Sequence, residues 1–139
     1  MAEDKATRNE AAMRQWLDIL QRGAVDEWDA VADPDLLMEV AFMPGNTGPV
    51  KGRDANRAIV GEFWKAWKSF VFHDVEVHVT RDPDLLFTTA RSEAETVWGA
   101  PYANIYVFRT RLREGRIVEH TEYFNALPVL EAFKDHLPG

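Results

Sequence analysis

The residues best suited to chemistry lie near the end of the chain, in the segment Val118–Phe124. Apolar and polar residues alternate there, which predicts a β-strand with His120 and Glu122 on one face. The preceding predicted strand carries a mainly aromatic row on one face, made of Tyr102, Asn104, Tyr106 and Phe108. Pairing these two faces would surround Glu122 with aromatic rings. A carboxyl held away from water in this way is suited to general acid or base catalysis.

The two histidines nearest to this pattern leave alternatives open. His120 and Glu122 resemble two metal ligands, but a metal site needs at least a third ligand, and no HExxH spacing supplies one. His73 lies on a valine face, which is typical of a core histidine, although it could also face the pocket and share a proton. Alternation of Glu and His is also typical of a solvated strand face. We therefore predict a catalytic set of Glu122, His120 and His73, with no metal and no organic cofactor.

Composition excludes several other classes of function. The 139 residues include no cysteine, which removes disulfides, thiolate metal sites and a cysteine nucleophile. A formal net charge of −7 disfavours nucleic acid and anionic membranes as partners. The segment Gly45–Gly52 lacks the spacing of a phosphate-binding loop. The polar start, Met1–Glu10, predicts neither a signal peptide nor a membrane span, so we expect a soluble cytoplasmic protein.

Helices are predicted to come first along the chain and long strands last. Apolar residues at helical spacing predict a helix over about Ala6–Gln21 and a short one over Val25–Val31. A third helix opens at Gly52-Arg53-Asp54, where Asp54 is the predicted N-cap. The other predicted elements are strands at Leu36–Phe42, Val71–Thr80, Leu85–Trp98, Tyr102–Arg113 and Arg116–Asn125, and a last helix at Pro128–His136.

The connections between the later strands are short, and this determines how they pair. A parallel crossover needs a dozen or more residues, so these strands must pair antiparallel. Within the strand Val71–Thr80, the period of two puts five residues on one face: Val71, His73, Val75, Val77 and Val79. Amphipathic helices with one antiparallel sheet predict an α+β architecture, and we expect one domain over residues 1–139.

These motifs resemble the nuclear transport factor 2-like superfamily. The helix opening Gly52-Arg53-Asp54 and the ending Glu114–Asn125 resemble its SnoaL-like polyketide cyclases. Those proteins carry an acidic residue at the position that Glu122 occupies in this sequence. Segments that resemble the phenazine-biosynthesis A/B proteins follow in order at Thr80–Pro83, Tyr102–Asn104, Gly115–Ile117 and Glu122–Asn125. The resemblance implies a cone-shaped, cystatin-like α+β roll, with N-terminal helices packed on a curved antiparallel sheet, and a homodimer formed across that sheet.

The resemblance also implies acid/base chemistry on a small cyclic carbonyl or amino-ketone metabolite, by cyclisation, isomerisation or condensation, with Glu122 as the acid. The helix histidine of the phenazine proteins has no counterpart, because Ile59 lies at about that place, so their substrate is not transferred. We expect the small-molecule ligand to be bound in an apolar pocket by Tyr102, Asn104, Tyr106, Trp64, Trp67 and Phe124.

Three other functions remain open. Arg91-Ser92-Glu93 with Glu122 resembles the Arg-x-Asp pair and second aspartate of limonene-epoxide hydrolases, with both aspartates lengthened to glutamate. The superfamily also supplies modules that only bind a ligand, because fold does not determine function. In a purely structural dimer, side chains would fill the pocket.

Overall fold

Six strands form one curved sheet in the computed structural model, which describes residues 2–136 and the side chains of residues 4–136. The strands are β1 (Ala32–Val40), β2 (Val50–Lys51), β3 (Trp67–Val79), β4 (Leu85–Thr96), β5 (Pro101–Arg113) and β6 (Arg116–Phe124), in the order β2-β1-β6-β5-β4-β3. Strands β3 to β6 pair antiparallel in chain order, as their short connections predict, whereas β1 runs parallel to β6. The ends of the predicted domain, residues 1 and 139, lie outside the described residues.

Between residues 2 and 136, three α-helices and one 3₁₀ helix accompany the sheet: α1 (Ala2–Arg22), a 3₁₀ helix (Val25–Ala30), α2 (Arg53–Trp64) and α3 (Ala126–Phe133). Helix α1 packs on β3 and β6, α2 on β1, and α3 on β5. Gly23 ends α1 with a φ of 67°, and the backbone N–H groups of Gly23 and Ala24 donate to the carbonyls of Leu20 and Ile19. Within residues 2–136, no helix is both long and apolar enough to cross a membrane.

The predicted elements are present, with different ends in several places. Strand β1 begins at Ala32 rather than Leu36, and the two-residue strand β2 was not predicted. Helix α2 ends at Trp64, and β3 begins at Trp67 rather than at Val71. The prediction of Asp54 as an N-cap is wrong, because Gly52 occupies that position. The Asp54 carboxylate accepts a hydrogen bond from Arg57 at 3.0 Å instead.

A β-bulge in β3 divides the face that the period of two predicted to be continuous. The pairing of β3 with β4 shifts between His73 and Glu76, and Asp74 between them has a φ of 53°. Phe72 before the bulge and Val75 after it both pack on the core. His73 therefore lies on the face opposite to Val75, and the prediction that they share a face is wrong.

Two clusters of buried side chains lie on the inner face of the sheet. The larger cluster lies under α1 and includes Trp16, Trp28 and Phe108. The smaller one lies under α3 and includes Trp67, Phe70, Tyr102 and Phe133. Trp64, Phe72 and Phe124 pack against both clusters, so they mark the boundary between the two.

Asp33 connects the start of β1 to the end of β5. Its carboxylate accepts hydrogen bonds from Arg113 Nη2 at 2.7 Å, from Arg113 Nε at 3.2 Å and from the Asp35 backbone N–H at 2.8 Å. Burial alone would raise the pKa of Asp33, but the Asp35 N–H and the Arg113 guanidinium outweigh burial and hold that pKa below its usual value.

We expect the Asp33→Asn variant to be less stable than the wild type at pH 7 by about 1–2 kcal/mol, because it loses charge-assisted hydrogen bonds. A carboxyl whose pKa is lower in the folded protein stabilises the fold above its unfolded pKa of about 3.9, and this contribution is lost as the pH falls through the folded value. The difference between variant and wild type should therefore shrink below pH 4 in urea titrations. Asp35→Asn is the control, since the Asp35 side chain is 68% exposed and also binds Arg113.

Candidate active site

Glu122 and His120 form a hydrogen-bonded pair on the inner face of β6. Alternation along the strand puts both side chains on this face, where Phe108 and Thr110 of β5 lie directly opposite them. His120 Nε2 lies 3.2 Å from Glu122 Oε2. The His120 side chain is fully buried and that of Glu122 is 18% exposed. One ionisable group of the pair is thus enclosed in protein, and the other reaches an opening.

The core holds the His120 ring in one orientation. Its Nδ1 lies 3.0 Å from the Thr110 hydroxyl. The ring centroid lies 4.7 Å from that of Trp16 on α1 and 5.2 Å from that of Phe108. The Thr110 hydroxyl also lies 3.5 Å from Met13 Sδ. Because two aromatic rings pack against it and its Nδ1 has a partner, the ring keeps Nε2 directed at Glu122.

This hydrogen-bond chain fits both protonation states of Glu122. When Glu122 is charged, the Thr110 hydroxyl can donate to Nδ1, and the Nε2–H of His120 donates to the carboxylate. When Glu122 is protonated, it can donate to Nε2, Nδ1–H donates to Thr110 and the Thr110 hydroxyl donates to Met13 Sδ. Every buried nitrogen and oxygen of this hydrogen-bond chain has a partner in both states, whereas Met13 Sδ accepts a hydrogen bond only in the second.

A pair of buried threonines tests the importance of the Thr110 hydrogen bond. Thr110→Val should lower the free energy of unfolding by about 1–3 kcal/mol, because it leaves His120 Nδ1 buried without a partner. Thr88 on β4 is the matched control: it is also fully buried, and its hydroxyl has no hydrogen-bond partner among the described residues. Thr88→Val should be neutral or stabilising in urea denaturation. Equal losses in the two variants would contradict this role for Thr110.

Glu122 opens onto a cavity of about 370 Å³ between the two core clusters. The cavity walls are mainly aromatic, with rings from Phe63, Trp64, Phe70, Phe72, Phe108 and Phe124. Val129 of α3 and the segment Met43–Asn46 also contribute to the lining, together with the exposed side chains of Val50 and Ile59. A volume of this size suits a small organic ligand.

Two tyrosines with hydrogen-bonded hydroxyls also line this cavity. The Tyr102 and Tyr106 hydroxyl oxygens are 2.8 Å apart, and both tyrosines line the cavity with Glu122. Burial raises the pKa of both tyrosines above the usual value, and the negative charge of Glu122 raises both further. Both phenols therefore stay protonated at neutral pH, and each keeps one hydrogen to donate.

Comparison with known proteins gives the family. The model of the SnoaL-like domain matches residues 13–120 of the chain. The chain belongs to the SnoaL-like family. A PhzA/B-like protein of Pseudomonas aeruginosa is 27% identical to this SnoaL-like chain over 124 residues, which cover 84% of this chain and 83% of the relative.

Solved structures agree with this SnoaL-like assignment. A candidate isomerase from Bacillus subtilis superposes with a TM-score of 0.81 at 22% identity, over 96% of each chain. A candidate polyketide cyclase from Xanthomonas campestris superposes with a TM-score of 0.80 at 14% identity, over 92% of this chain and 98% of its own. The expected fold of the nuclear transport factor 2-like superfamily is confirmed.

Most of the residues that the sequence analysis predicted for the site line the cavity beside Glu122. Glu122, Tyr102, Tyr106, Trp64 and Phe124 line it. His120 lies behind Glu122, fully buried, and contacts it directly.

Two residues predicted to contact the ligand do not line this cavity. Trp67 packs in the smaller core cluster, because α2 ends before it. Asn104 borders an open groove with Ser92 and Asn125, although its amide donates to the Tyr102 hydroxyl at 2.9 Å. The sequence pattern missed Thr110 and Ser92, because a lone hydroxyl on a strand carries no distinguishing signal.

His73 is not brought together with Glu122. The bulge at Asp74 leaves His73 on the outer face, where its Nδ1 lies 3.1 Å from Asp74 Oδ2. Arg91 is opposite His73 in the strand pairing and is exposed, as is Glu93. The three residues of the epoxide-hydrolase resemblance therefore do not meet, since Arg91 and Glu93 face away from Glu122. Among the side chains of residues 4–136, no group of three or more His, Asp or Glu residues could hold a metal ion.

Proposed function

We propose that this protein is an acid/base enzyme that moves a proton on a small cyclic carbonyl compound, with Glu122 as the group that accepts and returns the proton. The observation that carries the proposal is the position of Glu122: its carboxyl opens onto an aromatic cavity and is hydrogen-bonded to a fully buried histidine. A carboxylate in this setting has little water around it and one fixed partner, which favours proton transfer to and from a bound molecule.

The proposed reaction begins at a carbon next to the carbonyl group. The Glu122 carboxylate takes a proton from that carbon, and the electrons of the C–H bond move toward the carbonyl oxygen to give an enolate. Return of the proton to another carbon of the conjugated system isomerises the substrate. Alternatively, the enolate carbon attacks a second carbonyl, which forms a C–C bond and breaks the C=O π bond to close a ring, and Glu122 returns its proton to the resulting alkoxide oxygen. His120 acts as a positioning residue, because it contacts the carboxyl and does not line the cavity.

Two structural neighbours support this class of reaction. A candidate isomerase and a candidate polyketide cyclase share its fold. The isomerisation and the ring closure proposed above would both begin with loss of a proton next to a carbonyl. The choice between isomerisation, cyclisation and condensation depends on the substrate, which the fold does not determine.

Proton exchange on a simple ketone tests the proposal without knowledge of the natural substrate. 2-Tetralone is a planar, bicyclic, enolisable ketone of a size suited to the cavity. In D₂O, the wild-type protein should accelerate the loss of its α-proton signals, followed by NMR, relative to buffer alone and to heat-denatured protein. Bound 2-tetralone that exchanges at the buffer rate would contradict the enzyme proposal and favour a module that only binds its ligand.

A further inference from the structure

Four polar side chains form a connected cluster beside Glu122. The Ser92 hydroxyl lies 2.8 Å from the Tyr106 hydroxyl, which lies 2.8 Å from the Tyr102 hydroxyl. The Asn104 amide donates to the same Tyr102 oxygen at 2.9 Å. Ser92 is 1% exposed, Tyr106 4% and Tyr102 6%, so protein rather than solvent must supply most of their partners.

Hydrogen-bond accounting sets the direction of this cluster. Tyr106 is the sole acceptor described for the buried Ser92 hydroxyl, so Ser92 donates to Tyr106. The Tyr106 hydroxyl, which already accepts this bond, then donates to Tyr102. The Asn104 amide nitrogen can only donate, so the Tyr102 oxygen accepts two hydrogen bonds. The hydrogen of Tyr102 has no acceptor among the described residues, and Tyr102 lines the cavity.

The charge of the cavity limits what the free Tyr102 hydrogen can bind. None of the described lining residues is Lys, Arg or His. Two are acidic, Glu122 and Glu39, and the Glu39 carboxylate already accepts a hydrogen bond from Asn46 at 2.7 Å. A carboxylate or phosphate ligand would find no cation in this lining and would be repelled by Glu122. An uncharged oxygen has neither disadvantage.

We propose that Tyr102 donates a hydrogen bond to the carbonyl oxygen of the ligand, and that the ligand is an uncharged cyclic ketone rather than an acid. This inference rests on the proposed function, since the oxygen that Tyr102 binds is the one that becomes negative when Glu122 removes the neighbouring proton. A donor already aligned at that oxygen stabilises the enolate as it forms. Ser92 and Asn104 are positioning residues, because both act through the Tyr102 hydroxyl.

Binding of naphthalene derivatives tests the inference independently of turnover. 2-Naphthol carries a neutral hydroxyl and mimics an enol, 2-naphthoate carries a charge, and naphthalene carries no polar group. We expect the wild-type protein to bind 2-naphthol at least tenfold more tightly than 2-naphthoate, by roughly the cost of burying an unpaired charge beside Glu122. Tyr102→Phe should weaken 2-naphthol binding roughly 3- to 10-fold and leave naphthalene binding unchanged.

Two further variants separate the hydrogen bond from a general structural effect. Tyr123→Phe removes a hydroxyl on the outer face, where Tyr123 packs against Phe42, and should change nothing. Ser92→Ala should weaken 2-naphthol binding by a smaller factor than Tyr102→Phe does. Ser92→Thr keeps the hydroxyl and should bind 2-naphthol as tightly as the wild type. Undiminished 2-naphthol binding by Tyr102→Phe, or equal affinity of the wild type for 2-naphthoate, would overturn the inference.

These results can be told apart from failure of the proposed function. The 2-tetralone assay measures proton exchange, whereas the naphthalene series measures binding alone. If the wild-type protein prefers 2-naphthol through Tyr102 but catalyses no α-proton exchange, the Tyr102 binding site is supported and the proposed acid/base activity is contradicted. If Tyr102→Phe still catalyses the exchange and binds 2-naphthol as the wild type does, the acid/base activity is supported and the proposed role of Tyr102 is contradicted.

Discussion

The Glu122→Gln variant is expected to exchange the α-protons of 2-tetralone roughly 100- to 10,000-fold more slowly than the wild type, the range for loss of a general base. Glutamine keeps the size and shape of glutamate, and its carbonyl oxygen can still accept the Nε2–H of His120. It cannot take up a proton from carbon. The loss should therefore fall on the exchange rate, while the urea midpoint of the variant stays close to that of the wild type.

Glu93→Gln is the matched control for this experiment. Glu93 is an exposed glutamate on the outer face of the same sheet, and its removal changes the net charge by the same amount. Its exchange rate should equal that of the wild type. Equal losses in the two variants would point to net charge rather than to a base in the cavity, and an undiminished rate in Glu122→Gln would remove the proposed chemistry.

Trp16→Ala should produce the largest loss of stability, about 3–5 kcal/mol, because it removes a fully buried aromatic side chain and leaves a cavity. Trp16 contacts the Trp28 ring with centroids 4.9 Å apart and the His120 ring at 4.7 Å. The substitution therefore weakens both the packing of α1 on the sheet and the support of His120. Urea denaturation followed by far-UV circular dichroism measures the change.

Phe42→Ala provides the comparison for Trp16→Ala. Phe42 is 66% exposed, so its truncation should change the free energy of unfolding by less than about 0.5 kcal/mol. A loss at Phe42 as large as the loss at Trp16 would mean that the outer face is buried in solution. A small loss at Trp16 would contradict its place in the core.

Alternation along the last two strands was enough to predict the central part of the site. A period of two with aromatic residues on one strand and His120 and Glu122 on the next leaves few arrangements, because one-residue slips would bury the wrong face. Tyr106 and Phe108 do lie on the same face as Glu122. The short connections between these strands required antiparallel pairing, which removed the remaining freedom.

The errors arise where a single residue changes the direction of the chain. The bulge with a positive φ at Asp74 places the His73 side chain on the outer face. An aspartate within an alternating segment is not a recognisable sequence signal for a bulge. The end of α2 at Trp64 moved Trp67 from the pocket into the core, and helix ends depend on tertiary packing as much as on local residues. The parallel pairing of β1 with β6 joins segments about 80 residues apart, and no local pattern encodes such a contact.

A crystal structure of the protein with bound 2-naphthol would test most directly whether the carboxyl at position 122 acts on a molecule in this cavity. The ligand ring is predicted to lie between the aromatic walls, with its oxygen within hydrogen-bond distance of Tyr102 and a ring carbon within about 3.5 Å of a Glu122 oxygen, as a reacting pair requires. A ligand bound in the outer groove beside His73, or a Glu122 side chain turned out of the occupied cavity, would contradict the proposed function.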